Sequence, residues 1–574
     1  PNISQTNKKF KNVFIKNLAL SIFNKNYSFR WKSHKDAIDF VEKNFDQLKI
    51  LNSTILKLSR LVIRDNKNKL FLKNYLCKKI EKYFFYLNLK DFFSKHNNTV
   101  SLQICNPDLK LIHKYLTKQD LIQNRKIIFS RKKNNLFFYI KNSIIIFLYP
   151  LFAILKSKIK VNSEQKNFKF CIRHNEFGFG INDYPKISED WIIDDDKFHK
   201  DNALFVLEDD LSEERIKILN RKNYNYIKAS YKNPVEKINI FLFFLLIFKF
   251  FPIHVIYSFI YLFSNSLNKE ILFEILRNFL IWDIFSRSYK KIKYICYHNF
   301  QGSHFIRNYF LNKTGSQTYL YKHTFSENIF DKNFEKYCNT IFSYACHNYE
   351  FQMSRFGLEM SNCNKSVFEK SYISGPIFSS KKFEDYSYKK NNKNFNLGAF
   401  NTSFSPNGVN GFYEHYLYFK FLKSLINKYD LNIFFKGKYN YDLFLKNPIT
   451  STIFEELADN NNFTLVERYI SPRSIINDSD LVVSMTFATP GFEALYLKKK
   501  SFFVDTNSNY KNSLIDQNTE NFVSHGIDDS LKLFELYYKE NSELKSIIQK
   551  NSDSIFKGSP NDPINFIKDL VVNI

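Results

Sequence analysis

The chain has 574 residues, a formal net charge of +28 at pH 7, and 18% aromatic residues. This length predicts two or three domains, each with its own core. Seven cysteines without a CxxC pair argue against a disulfide framework and a zinc site, and residues 1–30 lack the apolar run of a secretory signal, so we expect a cytoplasmic protein. The positive charge favours polyanions or anionic lipid as partners.

Residues 1–135 carry apolar side chains at helical spacings, without a pattern that indicates catalysis. The spacing is clearest in Ala37–Leu48, Ile55–Ile63 and Phe71–Phe93. We therefore predict a helical N-terminal region over residues 1–160 that ends in an apolar, membrane-associated stretch.

Two stretches are apolar enough to be considered as membrane segments, Leu136–Leu155 and Ile238–Phe263. Each has about the 20 residues that span a bilayer. The strands predicted on either side of the second stretch belong to one sheet, which a single crossing would divide between two compartments. We therefore predict two helices lying in the cytoplasmic leaflet, the alternative being a buried helix pair at a domain interface. Basic residues flank the stretches: Arg131, Lys132, Lys133, Lys156, Lys158, Lys160 and Lys237.

Residues 161–380 alternate short apolar strands with helices, which predicts a doubly wound parallel sheet with the apolar insertion 237–263. The predicted strands are Phe168–Arg173, Ala203–Leu207, Tyr226–Ala229, Lys293–Tyr297, Gln317–Tyr321, Thr340–Ala345 and Ser371–Ser374.

Candidate catalytic side chains follow several of these strands. Glu176 and Asp183 come after the first strand, close to two glycines, where a carboxylate can act as a general base. His298, His323 and His347 follow three later strands, so their imidazoles could share one edge of the sheet. The alternatives are a plain glycine turn and structural loop histidines.

The acidic triplets at 194–196 and 208–210 are interpreted as solvated turns, and no metal site is predicted.

Residues 381–574 begin within a polar connector over 379–393 and predict a second sheet of the same kind. Its strands begin with Phe395–Phe400, Asn432–Phe435 and Phe463–Leu465, and residues 529–574 are expected to be largely helical. Lys436 and Lys438 end one strand, at the edge where parallel sheets bind ligands.

The stretch Leu481–Asp505 predicts a strand, a turn of small residues, a helix and a further strand. The free amides at a helix N-terminus attract phosphate, and hydroxyls in the turn add donors. The predicted nucleotide-binding residues are Ser484, Thr486, Thr489 and Gly491, with Glu493 accepting hydrogen bonds from a ribose. In the alternative, Thr489 is an ordinary N-cap and Glu493 supports the first helical turn. Arg468 and Arg473 are second-rank candidates for a nucleotide-binding role.

The segment from Asn394 to about Asp516 resembles the C-terminal half of a GT-B glycosyltransferase. More narrowly, it is similar to bacterial polysaccharide-biosynthesis proteins named for a Pro-Phe-Thr-Ser motif, which falls here within Met485–Pro490. Thr486 occupies the proline position and Ala488 the threonine position. Two further segments agree in order, Tyr413–Lys423 and Asn432–Lys438.

This resemblance implies an α/β fold with two Rossmann-like domains facing a cleft, an acceptor domain first and a nucleotide-donor domain second. It implies metal-independent transfer from a nucleotide-sugar co-substrate without a cofactor. His323 best matches the histidine that approaches donor or acceptor, and a C-terminal helix would cross back to the first domain.

We therefore expect a glycosyltransferase at the cytoplasmic face of the inner membrane that builds a capsule or lipopolysaccharide on a lipid-linked acceptor. A CDP-polyol phosphotransferase of the teichoic-acid type is the first alternative. A basic nucleic-acid-binding protein is the second, and the spread of lysines along the chain disfavours it.

Overall fold

The structure is a computed structural model. It describes residues 29–47, 66–95, 103–104, 110, 112–114, 116, 128–129, 136–156, 168–174, 192–193, 198–208, 213–229, 240–296, 303–322, 343–385, 387–388, 394–402, 411–438, 441–467, 470–508, 510–511, 513–539 and 542–574. The predicted helix Ile55–Ile63 lies outside this part of the chain.

Two helices form the N-terminal region, α1 (Phe29–Asn44) and α2 (Asn66–Lys95). They pack against each other through fully buried apolar residues such as Ala37 and Ile80. The buried Asn74 of α2 donates a hydrogen bond of 2.6 Å to the carbonyl of Ser343, which attaches this region to the first sheet domain. A short parallel pair, β1 (Gln103–Ile104) and β2 (Ile128–Phe129), was not predicted.

The first sheet has seven parallel strands in the order β5-β4-β3-β6-β7-β8-β9. Helices α4 (Glu213–Arg221), α7 (Ser303–Lys313) and α8 (Arg355–Cys363) connect its strands. The predictions match the observed bounds at β4 and β7. The strands are β3 (Phe170–His174), β4 (Ala203–Leu207), β5 (Tyr226–Lys228), β6 (Lys293–Cys296), β7 (Gln317–Tyr321), β8 (Cys346–Gln352) and β9 (Val367–Ile373).

The predicted strand Thr340–Ala345 is wrong, because the strand in this region is β8, which begins at Cys346. His347 consequently lies near the amino end of β8 instead of following a strand, and it cannot share the carboxyl edge with the other candidates. It is 4% exposed, and its Nδ1 lies 3.2 Å from the Asn308 side-chain nitrogen.

The two apolar stretches form an antiparallel pair, α3 (Leu136–Lys156) and α5 (Ile240–Phe263), here called the apolar helix pair. His254 Nδ1 of α5 contacts the carbonyl of Ile146 at 2.8 Å, and Ser143 Oγ of α3 donates to the carbonyl of Ser258 at 2.8 Å. Among the described residues, no helix combines the length and the apolar character that crossing a bilayer requires.

The apolar helix pair packs on α6 (Ser266–Ser288) through one face only. Its other face carries large apolar side chains in contact with solvent, with Phe248 79% exposed and Phe263 88% exposed. The pair is therefore partly core and partly apolar surface, which combines the two alternatives drawn from the sequence. The remaining exposed residues are Ile140, Ile144, Leu148, Leu151, Phe152, Phe244, Ile256 and Phe259.

The second sheet has six parallel strands in the order β12-β11-β10-β13-β14-β15. They are β10 (Phe395–Phe400), β11 (Leu431–Lys436), β12 (Phe463–Leu465), β13 (Leu481–Met485), β14 (Ser501–Asp505) and β15 (Val523–His525). The helices are α9 (Phe412–Lys428), α10 (Asp442–Leu445), α11 (Ser451–Ala458), α12 (Pro472–Asp478), α13 (Thr489–Tyr496), α14 (Leu514–Asn518), α15 (Ile527–Tyr538), α16 (Ser542–Phe556) and α17 (Pro563–Asn573).

Two chain segments join the sheet domains. The connector contains the short 3-10 turns Ile377–Ser379 and Lys381–Phe383. Helix α17 returns toward the first domain, where the Nζ of Lys293 donates to the carbonyls of Val571 at 2.5 Å and Val572 at 3.0 Å. The crossing helix that the resemblance implies is therefore present.

Candidate functional site

Both sheets reverse their strand order once, and ligands of open α/β sheets bind at such a switch point, outside the carboxyl ends of the strands. In the first sheet the reversal lies between β3 and β6, and in the second between β10 and β13. Asn401 directly follows β10, and Ser484 and Met485 end β13. The predicted nucleotide-binding turn thus lies at the switch point of the second sheet.

The turn from β13 to α13 has the predicted strand–turn–helix–strand form. Helix α13 begins at Thr489 with Pro490 in its first turn, and its N-cap is Ala488. Because Ala488 occupies the N-cap position, the N-cap alternative for Thr489 is wrong, and no side chain of the described residues caps this helix. Pro490 has no amide hydrogen and the Gly491 amide donates to the carbonyl of Ala488 at 3.1 Å, so the amide of Thr489 is the first-turn donor left to an anion at the positive end of the helix dipole. Thr489 is half-buried.

Ser484 and Thr486 are almost completely enclosed, with exposed fractions of 0% and 4%. Ser484 shares a sheet face with Val482, which packs against Ile475 of α12 and Ala494 of α13. Within the described residues, the Ser484 Oγ has no hydrogen-bond partner. Of the predicted hydroxyls, only that of Thr489 reaches the surface of the turn.

Gly491 is required by packing between helix and sheet. A Cβ at this position would lie 2.5 Å from the Cε1 atom of Phe503 in β14, so a larger residue would push α13 away from the sheet. Close helix–strand packing is one of the roles of glycine in nucleotide-binding βα units.

Glu493 lies one turn into α13 and is 3% exposed. Burial raises the pKa of its carboxyl to about 7, and the nearby Arg473 opposes this shift. The Oε2 atom of Glu493 has no hydrogen-bond partner among the described residues. Its backbone carbonyl accepts a hydrogen bond of 3.4 Å from Ser379 of the connector. Glu493 therefore lies where the second domain meets the connector, and its predicted contact with a ribose needs that junction to open.

The two predicted lysines differ in their surroundings. Lys436 is 7% exposed, and its Nζ donates to the carbonyl of Glu467 at 3.2 Å. Lys438 is exposed, and its backbone amide donates to the Asn401 side chain at 2.8 Å. Lys438 is therefore the predicted cation that lies at the switch point with its side chain at the surface.

A charged cluster at the same edge was not predicted from the sequence. His525 ends β15, with its Nδ1 3.2 Å from Asp505 and its Nε2 3.0 Å from Asp516. Although burial opposes the charged imidazole, the hydrogen bonds to the two aspartates raise the pKa of His525 to about 9. Asp505 ends the neighbouring strand β14, so this ion cluster of one histidine and two aspartates lies at the carboxyl edge. The sequence signal is the histidine that ends the three-residue strand Val523–His525.

The four predicted catalytic residues Glu176, Asp183, His298 and His323 lie outside the described residues. Their roles remain predictions. The strands that precede them end at His174, Cys296 and Tyr321, at one edge of a parallel sheet.

Glu208 corrects the interpretation of residues 208–210 as a solvated turn. Its side chain is 6% exposed, and its Oε1 accepts a hydrogen bond of 2.6 Å from Arg307 and one of 2.6 Å from Tyr294. Arg173 lies 3.2 Å from Oε2. Although burial opposes ionisation, these two arginines hold the pKa of Glu208 below its ordinary value. The carboxylate therefore ties β3, β4, β6 and α7 together under the carboxyl edge.

Two doubly wound parallel sheets, joined by a connector and a returning C-terminal helix, define the GT-B class of architecture. A sequence profile for the family described as "Polysaccharide biosynthesis PFTS motif protein" matches residues 246–534, half of the chain. The chain therefore belongs to this family of polysaccharide-biosynthesis proteins, and the resemblance drawn from Met485–Pro490 is confirmed.

Several solved structures are similar to this chain at low sequence identity. HepE of Anabaena, solved with UDP, is 12% identical with a TM-score of 0.42, over 73% of this chain and 100% of its own. A glycosyltransferase of Rickettsia africae is 11% identical with a TM-score of 0.39, over 65% of this chain and 90% of its own. MnaA of S. aureus, also solved with UDP, is 11% identical with a TM-score of 0.34, over 52% of this chain and 84% of its own. No curated protein matches the sequence.

Proposed function

We propose that this protein is a glycosyltransferase that moves a sugar from a nucleotide-activated donor to a glycan acceptor during the synthesis of a surface polysaccharide. The observation that carries the proposal is the uncapped N-terminus of α13 at the switch point of the second sheet, in a family of polysaccharide-biosynthesis proteins. Such a helix end suits the phosphates of a nucleotide sugar.

The donor phosphates would lie against Thr489 and the first turn of α13. Lys438 supplies positive charge at the same edge, whereas the charge of the protonated His525 is neutralised by Asp505 and Asp516. Positive charge and a helix dipole stabilise the phosphate that leaves as the bond from the sugar carbon to its oxygen breaks. We propose that this arrangement works without a metal ion or cofactor.

The acceptor would lie against the first sheet, where an acceptor hydroxyl oxygen forms the new bond to the sugar carbon and its proton passes to a general base. Glu176, Asp183, His298 and His323 are the proposed candidates for this base. They follow strands whose carboxyl ends lie at one edge.

The exposed face of the apolar helix pair would rest on the cytoplasmic surface of the inner membrane. Large apolar side chains cover this face from Ile140 to Phe152 and from Phe244 to Phe263. Helices that keep one face in the protein and present an apolar face lie in the interfacial plane of a bilayer. The net charge of +28 adds attraction to anionic lipid. A lipid-linked acceptor would then reach the site from the membrane.

The function is tested by incubating the full chain with UDP-, GDP- and CMP-sugars and a lipid-linked oligosaccharide, followed by mass spectrometry of both products. We expect the acceptor to gain one sugar and the nucleotide to be released. Release of a nucleoside monophosphate from a CDP-polyol, with the polyol phosphate on the acceptor, would instead identify a polyol phosphotransferase. Salt-dependent binding of RNA or DNA without binding of any nucleotide sugar would contradict transferase activity.

A further inference from the structure

A cavity of 350 Å³ lies between the connector, the end of α13 and helix α16. Leu497 and Lys498, which directly follow α13, form part of its wall. The donor turn lies at the other end of the same helix, roughly 12 Å away for eight residues at 1.5 Å each. The cavity therefore lies at the opposite end of α13 from the turn proposed for the donor phosphates, although its Arg473 is near Glu493.

The cavity contains a buried guanidinium that is not satisfied by the described residues. Arg473 lines the cavity and is 4% exposed, and its Nε and Nη1 atoms have no hydrogen-bond partner in that part of the chain. The Oγ of Ser559, also in the wall, is buried and likewise without a partner there. The carboxylates of Glu493 and Glu384 lie near enough to favour the charge of Arg473 but accept no hydrogen bond from its Nε or Nη1. A ligand that accepts hydrogen bonds from these two buried donors would stabilise this arrangement.

Two exposed lysines in the wall, Lys381 and Lys498, strengthen the attraction for an anion. Their ammonium groups and the Arg473 guanidinium together present more hydrogen-bond donors than the two oxygens of a carboxylate ligand could accept. A phosphate group offers three terminal oxygens to such a set.

The wall also contains two carboxylates, Glu384 and Asp553. They would repel a bare anion, but they accept hydrogen bonds from hydroxyl groups. Tyr496 and Phe556 also line the cavity, with ring centroids 5.1 Å apart in an edge-to-face arrangement. Aromatic walls suit the apolar face of a sugar ring.

We propose that this cavity is a second ligand site that binds a phosphorylated monosaccharide. Its phosphate contacts Arg473 and Lys381, and its hydroxyl groups donate to Glu384 and Asp553. Because the wall includes the connector and α16, the bound ligand holds the connector against the second sheet domain.

The proposal is tested by isothermal titration calorimetry of the full chain with glucose 1-phosphate and with inorganic phosphate, each with and without saturating UDP. We expect glucose 1-phosphate to bind in both conditions and at least tenfold more tightly than inorganic phosphate. Lys381→Glu should weaken its binding about tenfold. The matched control Lys382→Glu makes the same change at the next residue, which is exposed and does not line the cavity, and should leave binding unchanged.

Arg473→Gln should abolish binding, and thermal unfolding would establish that this variant is folded. If the Arg473→Gln variant is unfolded, the comparison of Lys381→Glu with Lys382→Glu tests the site without it. Absence of binding to the wild-type chain, displacement by UDP, or equal loss of affinity in Lys381→Glu and Lys382→Glu would overturn the site. Equal affinity for inorganic phosphate and glucose 1-phosphate would overturn the recognition of sugar hydroxyls.

Discussion

The Nζ of Lys249 lies 2.8 Å from Oδ2 of Asp283, so the lysine inside the most apolar helix is paired with a carboxylate of α6. Asp283 is nearly buried, and its other oxygen lies 2.9 Å from the Nε of Arg287. The charge that interrupts the apolar stretch in the sequence thus fastens α5 to the protein.

The first prediction concerns this ion pair. Asp283→Asn should lower the free energy of unfolding by about 3 kcal/mol. The substitution removes the carboxylate that Lys249 and Arg287 share and leaves these two cations without their counter-charge. Lys249→Met should change it by less than about 1 kcal/mol, because Lys249 is partly exposed and Arg287 still pairs with Asp283. Urea unfolding of both variants checks this, and similar losses in the two would contradict it.

The second prediction concerns the exposed face of the apolar helix pair. Replacing Phe248, Phe259 and Phe263 together by Ser should greatly reduce flotation with vesicles that contain phosphatidylglycerol, since these rings are 79%, 60% and 88% exposed. Stability should change little, because exposed substitutions usually cost less than about 0.5 kcal/mol each.

Phe250→Ser is the matched control, since the Phe250 ring is fully buried in the same helix. It should cost about 3–5 kcal/mol of stability, as for other large core truncations, and spare vesicle binding in molecules that remain folded. Unchanged flotation of the triple variant would show that this face does not bind lipid.

The third prediction follows from the raised pKa of Glu493, which is about 7 in the folded chain against an ordinary value of 4.5. Between these values the folded state keeps a proton that the unfolded state releases, so this carboxyl lowers stability as pH rises from 4.5 to 7. The stability of Glu493→Gln relative to the wild type should therefore rise by up to about 3 kcal/mol over that interval. A difference independent of pH, measured by urea unfolding, would contradict the buried carboxyl.

The fourth prediction concerns His525, whose pKa is about 9 in the folded chain and ordinarily 6.5. The folded state binds the proton more tightly, so the stabilisation is fully present below pH 6.5 and is lost as pH rises through 9. His525→Gln should be less stable than the wild type at pH 6, by up to about 3 kcal/mol. This deficit should shrink above pH 9, and a deficit that grows with pH would contradict the ion pairs with Asp505 and Asp516.

Much of the fold follows from local sequence patterns. Ala203–Leu207, Gln317–Tyr321 and Phe395–Phe400 are apolar runs bounded by polar residues, and each is a strand with the predicted bounds. The turn at Met485–Pro490 is equally local, because proline and small residues dictate where α13 begins.

Local sequence patterns fail to predict a buried strand when its polar side chains are paired with residues that are distant in the sequence. Strand β8 has the sequence CHNYEFQ, which does not look buried, and the preceding apolar residues were preferred in its place. Glu350 within it is fully buried because Lys322, at the end of β7, lies 3.0 Å away. Such a pairing is visible only once the sheet is assembled.

In the candidate site, too, features formed by contiguous residues were predicted, and features that depend on distant residues were not. The β13–α13 turn was found because its residues are contiguous in sequence. The His525 cluster and the buried Glu208 depend on partners up to 99 residues away, as for Glu208 and Arg307, and no short motif announces them. Glu208 was therefore interpreted as a solvated residue, although two arginines and a tyrosine enclose it.

The most direct test of the account is backbone hydrogen exchange of the full chain, measured with and without the nucleotide that binds most tightly among CMP, CDP, UDP and GDP. If the donor phosphates rest on the N-terminus of α13, the amides between Thr486 and Glu493, of which Pro490 has none, should be protected by the nucleotide at least tenfold. Tight nucleotide binding that protects other segments and leaves this turn unchanged would contradict the central claim.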